Sequence, residues 1–203
     1  MLKKIFMYKI IIALLVSCYT FAQESEMRSA QEFQEHLNEE FRDSVSSPLE
    51  KEDLVHFEQL DFYPVSQEFI VQATFVQVKN TKKFKMRTST SRTPLYKKYG
   101  ELHFELNGKQ FVLNVYQNIE LSKKPGFKDY LFLPFLDLTN GEATYAGGRY
   151  LDMKIPETDT VVINFNKAYN PYCAYNHNYS CPIVPRENDL DIAIEAGVKK
   201  FHD

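Results

Sequence analysis

Asn107-Gly108 sits in the middle of a run whose apolar and polar residues alternate on both sides. Asn-Gly supplies positive φ at both central positions of a type I′ turn, the turn that joins two adjacent antiparallel strands. A two-residue loop at this point allows one register. Leu106 faces Lys109, Phe104 faces Phe111, and Leu102 faces Leu113, all on one side. The other side sets Glu101, His103 and Glu105 against Asn114, Val112 and Gln110. A slip by one residue would turn every apolar side chain to water, so turn and pattern fix the same hairpin over residues 101–117.

The flanking pattern extends the sheet. Residues 69–78, 83–90, 130–136, 143–153 and 160–166 read as further strands, and Asn140-Gly141 gives a second hairpin signal. Residues 130–136 are apolar on both faces, as in a central strand. Before the strands, Met27, Ala30, Phe33, Leu37 and Phe41 recur at the spacing of one helix face, which predicts a packing helix over 25–43. Ser47-Pro48-Leu49-Glu50 has the form of a capping box and predicts a short second helix ending near Phe57. Residues 189–201 read as a short strand or a helix. The order of helices then strands predicts an α+β or mainly β fold, an antiparallel sheet closed as a barrel or sandwich. There is no internal repeat, and no linker long enough to divide 23–203 into two domains.

Residues 1–22 read as an export signal. Lys3, Lys4 and Lys9 precede a short apolar run, Ile10–Val16, that is too short to span a membrane as a helix. Thr20-Phe21-Ala22 fits a cleavage site, and Leu15-Val16-Ser17-Cys18 fits a lipobox with Cys18 as the lipidated residue. The protein is therefore expected in the periplasm or anchored to a membrane by lipid, with no membrane span. Loss of residues 1–22 removes three lysines and no acid, leaving 21 basic against 27 acidic residues, a formal charge of −6. That balance argues against a nucleic-acid surface.

Polar, aromatic and turn-forming residues are densest between Asp137 and Asn188. Cys173 and Cys181 lie there, eight positions apart with His177 midway. In an exported chain such a pair reads first as a disulfide, with free thiols, a metal site or a nucleophilic cysteine as alternatives. The spacing is a poor match to zinc sites, so no metal is expected. No cofactor is expected either, since phosphate-binding, dinucleotide, zinc-protease and nucleophile-elbow signatures are all missing from the sequence. On a strand, Arg149 and Leu151 point one way and Tyr150 and Asp152 the other. Arg149 could clamp an anionic ligand through its fork or pair internally with Asp137. Asp137 and Asp152 together could form an acid/base pair, and Asp137 alone could cap the turn at Thr139. Asn164, Asn166, Asn170, Tyr169, Tyr172 and Tyr175, with Thr139, Tyr145, Glu187 and Asn188, complete the candidates for a ligand pocket, or equally an irregular loop that satisfies its own backbone.

These residues carry a resemblance. Ser47-Pro48-Leu49, Tyr99-Gly100-x-Leu102-x-Phe104 and Phe135-x-Asp137-x-Thr139-x-Gly141-x-x-Thr144-Tyr145 are three of its pieces. Gly148-Arg149-Tyr150-Leu151-Asp152, Asn164-Phe165-Asn166-x-Ala168-Tyr169-Asn170-Pro171-x-Cys173-Ala174-Tyr175, Cys181-Pro182 and Glu187-Asn188 follow. Over roughly residues 25–200 the chain resembles the bacterial family known as domain of unknown function 1684. The resemblance implies no activity. It does imply members with and without export signals, which moves the cysteine pair toward a site. The family's Gly-Glu-Lys near the end is replaced here by Gly197-Val198-Lys199.

Three classes of function remain open on these grounds. One is an envelope protein binding a small, anionic ligand in a polar-aromatic pocket. Another is a hydrolytic or thiol enzyme using Cys173, Asp137 or Asp152. The third is a structural module for an envelope protein partner.

Overall fold

The computed structural model describes residues 23–202, so the export signal expected over 1–22, with Cys18, lies outside the described residues. Helix α1 spans 23–42, and α2 is a single turn, Lys51–Leu54. The strands are β1 (Ile70–Gln77), β2 (Lys83–Lys85), β3 (Leu95–Leu106), β4 (Lys109–Asn118), β5 (Tyr130–Phe135), β6 (Arg149–Lys154) and β7 (Thr160–Asn164). They form one sheet in the order β6-β5-β4-β3-β1-β7, with β2 added to β3, and every pairing is antiparallel.

The hairpin adopts the register its turn demands. Asn107 and Gly108 have φ of 51° and 73°, and Leu106↔Lys109, Phe104↔Phe111 and Leu102↔Leu113 are partners. A Cβ at Gly108 would meet nothing within 4 Å, so steric space is not the constraint. Gly108→Ala is therefore expected to cost only the left-handed strain, about 1–2 kcal/mol. A urea titration should read this as a lower midpoint with an unchanged slope.

The sheet curls into a half-barrel and stops there. Its edge strands β6 and β7 do not pair with each other among the described residues, so the mainly antiparallel sheet is seen but the closure expected of it is not. Residues from both edges, with Phe33 of α1, instead line a shared cavity of about 290 Å³. Helix α1 lies along this seam. The Asn164 side chain of β7 donates to the Glu26 carbonyl at 2.9 Å, and Lys167 Nζ donates to Ser29 Oγ at 2.7 Å. A helix over a sheet edge satisfies part of what closure would otherwise have to satisfy.

One face of the sheet carries the main core. Leu102, Leu113, Leu131, Leu133, Phe135 and Phe165 are buried there, joined by Leu190, Ile194 and Ala196 from the C-terminal segment. The opposite parity places Tyr96, Tyr116, Phe132 and Tyr150 in a second, aromatic cluster. A third cluster seats α1, through Leu37 and Phe41 against Tyr175.

Several local expectations are corrected. Ser47 does not cap the second helix: its hydroxyl donates to the Phe41 carbonyl at 2.7 Å and accepts the Leu49 N–H at 3.2 Å. That hydroxyl closes the end of α1, so α2 begins late, with Glu50 at its N-cap position. Asn140-Gly141 joins no pair of strands. The Thr139 carbonyl accepts the N–H groups of Glu142, Ala143 and Thr144, which winds the segment into a turn and delays β6 to Arg149. Residues 189–201 are neither strand nor helix. They follow an irregular path with bends, tied by the bridges Leu136↔Asp189 and Phe62↔Val198.

Candidate functional site

Side-chain parity on β5 and β6 builds the site. On β5, Leu131, Leu133 and Phe135 enter the main core, which turns Tyr130 and Phe132 to the other face. On β6, Leu151 enters the core, so Tyr150 and Asp152 share the face with Phe132. The pairing Phe132↔Asp152 sets the carboxyl-bearing residue beside an aromatic one. Together with Tyr96, Tyr169 and Tyr172 they line a cavity of about 450 Å³, and α1 closes one wall with Phe33, Leu37 and Glu40. Its size is that of a small-ligand pocket.

The rings support one another edge-on. Phe132 and Tyr150 lie 4.7 Å apart, Tyr150 and Tyr169 5.9 Å apart. The Tyr150 hydroxyl donates to the Pro182 carbonyl, holding the ring upright. Tyr130 and Tyr169 both donate to Asp152 Oδ1, each at 2.7 Å. Burial and then the Asp152 carboxylate push both phenols upward, so they stay protonated donors at neutral pH. Because both bonds fall on Oδ1, Oδ2 keeps its acceptor capacity for a ligand. At the α1 wall, the Tyr172 hydroxyl donates to Glu40 Oε1.

Arg149 does not reach this cavity. It is 0% exposed and lies on the core side of β6. Its Nη2 donates to Asp137 Oδ2 at 2.8 Å and to the Ile194 carbonyl at 2.7 Å. Its Nη1 donates to the carbonyls of Ala196 and Val198. Asp137 Oδ1 meanwhile accepts the Thr139 N–H at 2.9 Å, the Thr139 hydroxyl at 2.6 Å and the Ile194 N–H at 3.2 Å. Burial presses the guanidinium toward neutrality and Asp137 opposes it. This group clips the C-terminal segment to the sheet and leaves no fork for an anion. It also ends the Asp137/Asp152 acid/base pair, since Asp137 is spent in the core.

The asparagine candidates are structural as well. Asn188 Oδ1 accepts the Asn114 N–H, and its Nδ2 donates to the carbonyls of Asn114 and Pro134, at 2.9, 2.9 and 2.6 Å. It thus bridges β4 and β5, which share only the Tyr116↔Phe132 pair. Asn166 exchanges hydrogen bonds with the Ser66 backbone, and Asn170 donates to the Lys199 carbonyl at 2.9 Å. Glu187 is exposed and accepts from the Tyr116 hydroxyl at 3.0 Å.

Cys173 and Cys181 are free thiols in contact, the Cys173 N–H donating to Cys181 Sγ at 3.2 Å. Cys181 lines the aromatic cavity. Cys173 and Tyr145 line a separate one of about 390 Å³. No group of three or more His, Cys, Asp or Glu suited to a metal ion occurs among the described residues.

Of the candidate residues, then, Asp152, Tyr169, Tyr172 and Cys181 share one cavity, Tyr145, Cys173 and Tyr175 another, and the rest build the core or its surface. The sequence reading grouped Tyr172 with the pocket candidates, but it made nothing of Tyr96, treated Tyr130, Phe132 and Tyr150 as strand residues, and took Phe33 and Glu40 as parts of a packing helix. The signal that could have found them was parity: once Asp152 is a candidate, Tyr150 shares its side of the strand.

Comparison with known proteins adds identity but no activity. A family model described as protein of unknown function (DUF1684) matches residues 55–199. The match takes in the strands and the cysteine loop but not α1. The solution NMR structure of an uncharacterised protein of Haloarcula marismortui is similar, with a TM-score of 0.68 and 29% identity, covering 87% of this chain and 95% of that one. No curated protein matches the chain.

Proposed function

The chain belongs to the DUF1684 family of proteins of unknown function, and from that premise we propose that it is an exported envelope protein that binds a small organic cation in the aromatic cavity. The carrying observation is the solvent-exposed Asp152 carboxylate, fixed by two tyrosine hydroxyls where it borders a cavity lined by aromatic rings. Ring faces are negative and attract a cation by about 0.5–1 kcal/mol at a solvent-accessible site. Asp152 and Glu40 add two carboxylates, and no Lys or Arg lines the cavity. The neighbouring Arg92 is bonded to the Ser180 hydroxyl and carbonyl at 3.1 and 2.6 Å. An anion, the ligand suggested by Arg149 in the sequence, would meet like charge here. Export rests on the lysine-flanked apolar run at 1–22. No helix of the described residues is long and apolar enough to cross a membrane.

The test is calorimetric titration with tetramethylammonium, spermidine and arginine, and with acetate and phosphate as anions. A cation should bind and the anions should not. Asp152→Asn should weaken the tightest cation tenfold or more, about 1.4 kcal/mol, with the unfolding midpoint little changed. Preference for an anion, or an affinity indifferent to Asp152→Asn, would refute the assignment.

A further inference from the structure

We infer that Cys173 and Cys181 form a thiol–disulfide exchange site, in which Cys173 attacks the disulfide of a small thiol compound or peptide and Cys181 resolves the product. This stands independently of the cation cavity. The two sulfurs differ in access: Cys173 is half-buried at the wall of its own cavity, whereas Cys181 is 8% exposed. An attacking sulfur must be reachable, and a resolving one need only touch its neighbour.

The loop is built to keep them in touch. A 3-10 turn, Tyr172–Ala174, presents Cys173. Cys181 is pinned from the other side, its N–H donating to Ser89 Oγ at 3.1 Å and its carbonyl accepting the Ser89 N–H at 2.8 Å. The bridge Thr88↔Pro182 continues that grip. The Tyr145 hydroxyl stands 3.9 Å from Cys173 Sγ. Around the cavity stand the acids Glu50 and Asp53 and the base Lys200, and His177 and His202 complete the titratable wall, with His202 3.3 Å from Asp53. That wall carries charges of both signs.

The hydrogen bond from Cys181 lowers the Cys173 thiol to about 6, with Ser89 and Tyr145 assisting against burial. The same bond and burial push Cys181 upward. At neutral pH Cys173 is therefore the thiolate and Cys181 carries the shared proton.

The exchange balances with a disulfide R–S–S–R as oxidant. Cys173 thiolate attacks one sulfur, forming Cys173–S–S–R and expelling RS⁻. The proton on Cys181 passes to that leaving group. Cys181 thiolate then attacks Cys173 Sγ, forming the internal disulfide and expelling a second RS⁻. Two electrons pass from the protein to the partner, which ends as RSH and RS⁻.

The test uses the full chain, reduced, with oxidised glutathione as probe and peptide mapping by mass, so that Cys18 is read separately. Wild type should end with a Cys173–Cys181 disulfide and no retained glutathione. Cys181→Ser should retain glutathione on Cys173, and Cys173→Ser should react at Cys181 at least tenfold more slowly. Alkylation of Cys173 in the wild type should rise through a pH of about 6. A stable glutathione adduct on wild type would overturn the assignment. So would equal reactivity of the two variants, or an alkylation midpoint at the ordinary thiol value of about 8.5. The wild-type measurements decide the matter even if a variant fails to fold.

Discussion

Arg149→Met is expected to destabilise the protein by about 3–5 kcal/mol, the cost of leaving a buried charge without its partner. Asp137 would keep only the Thr139 and Ile194 donors, and the carbonyls of Ile194, Ala196 and Val198 would lose theirs. Small domains carry roughly 5–15 kcal/mol in all, so this one change uses a large share. Urea unfolding followed by far-ultraviolet circular dichroism measures it. A midpoint within error of wild type would mean that the clip is not what holds residues 190–198 to the sheet. Asp137→Asn should fall in the same direction, because the guanidinium then stays buried without a counter-charge.

Phe41→Ala should cost a comparable amount, about 3–5 kcal/mol for a large buried aromatic. Phe41 is 1% exposed and stands edge-on to Tyr175 at 4.7 Å, with Phe57 and Tyr172 on its flanks. The damage should be local first. Helix α1 is seated by a cluster of its own, apart from the main core of the sheet, so it should detach while the β3–β4 hairpin persists. Hydrogen exchange would then quicken across 23–42 and hold steady across the hairpin. The same variant should weaken cation binding, since Phe33, Leu37 and Glu40 ride on this helix and wall the cavity. Uniform loss of protection across helix and sheet would show instead that the two unfold as one unit.

The hairpin was legible in the sequence because two independent local signals, turn chemistry and period-2 alternation, agree on one register. Helix α1 was legible for the same reason: Ala30, Leu37 and Phe41 are buried along one stripe. What the sequence could not reveal depends on partners far away in the chain. Ser47 fits a capping box until the Phe41 carbonyl claims its hydroxyl. Asn140-Gly141 fits a hairpin until Asp137 and Thr139 are drawn into the Arg149 network. Arg149 looks equally like a ligand clamp and a structural clip, and the difference is made by three carbonyls of a segment some 45 residues downstream. The cavity was half legible. Tyr150 and Asp152 were placed together opposite Arg149 by parity, but the phenol of Tyr130 reaches Asp152 only through the β5–β6 pairing, and that of Tyr169 only through its bridge to Tyr150. Glu40 lay off the apolar stripe of α1 and gave no hint that it borders a cavity.

The cavity's preference for positive charge is tested most directly by a matched pair: choline and its uncharged tert-butyl isostere, titrated into the same protein. The two fill nearly the same volume and differ in charge. Rings and carboxylates should favour choline by tenfold or more, about 1.4 kcal/mol. Equal binding of the two, or tighter binding of the neutral compound, would show that the pocket selects by shape and greasiness and that Asp152 takes no part in recognition.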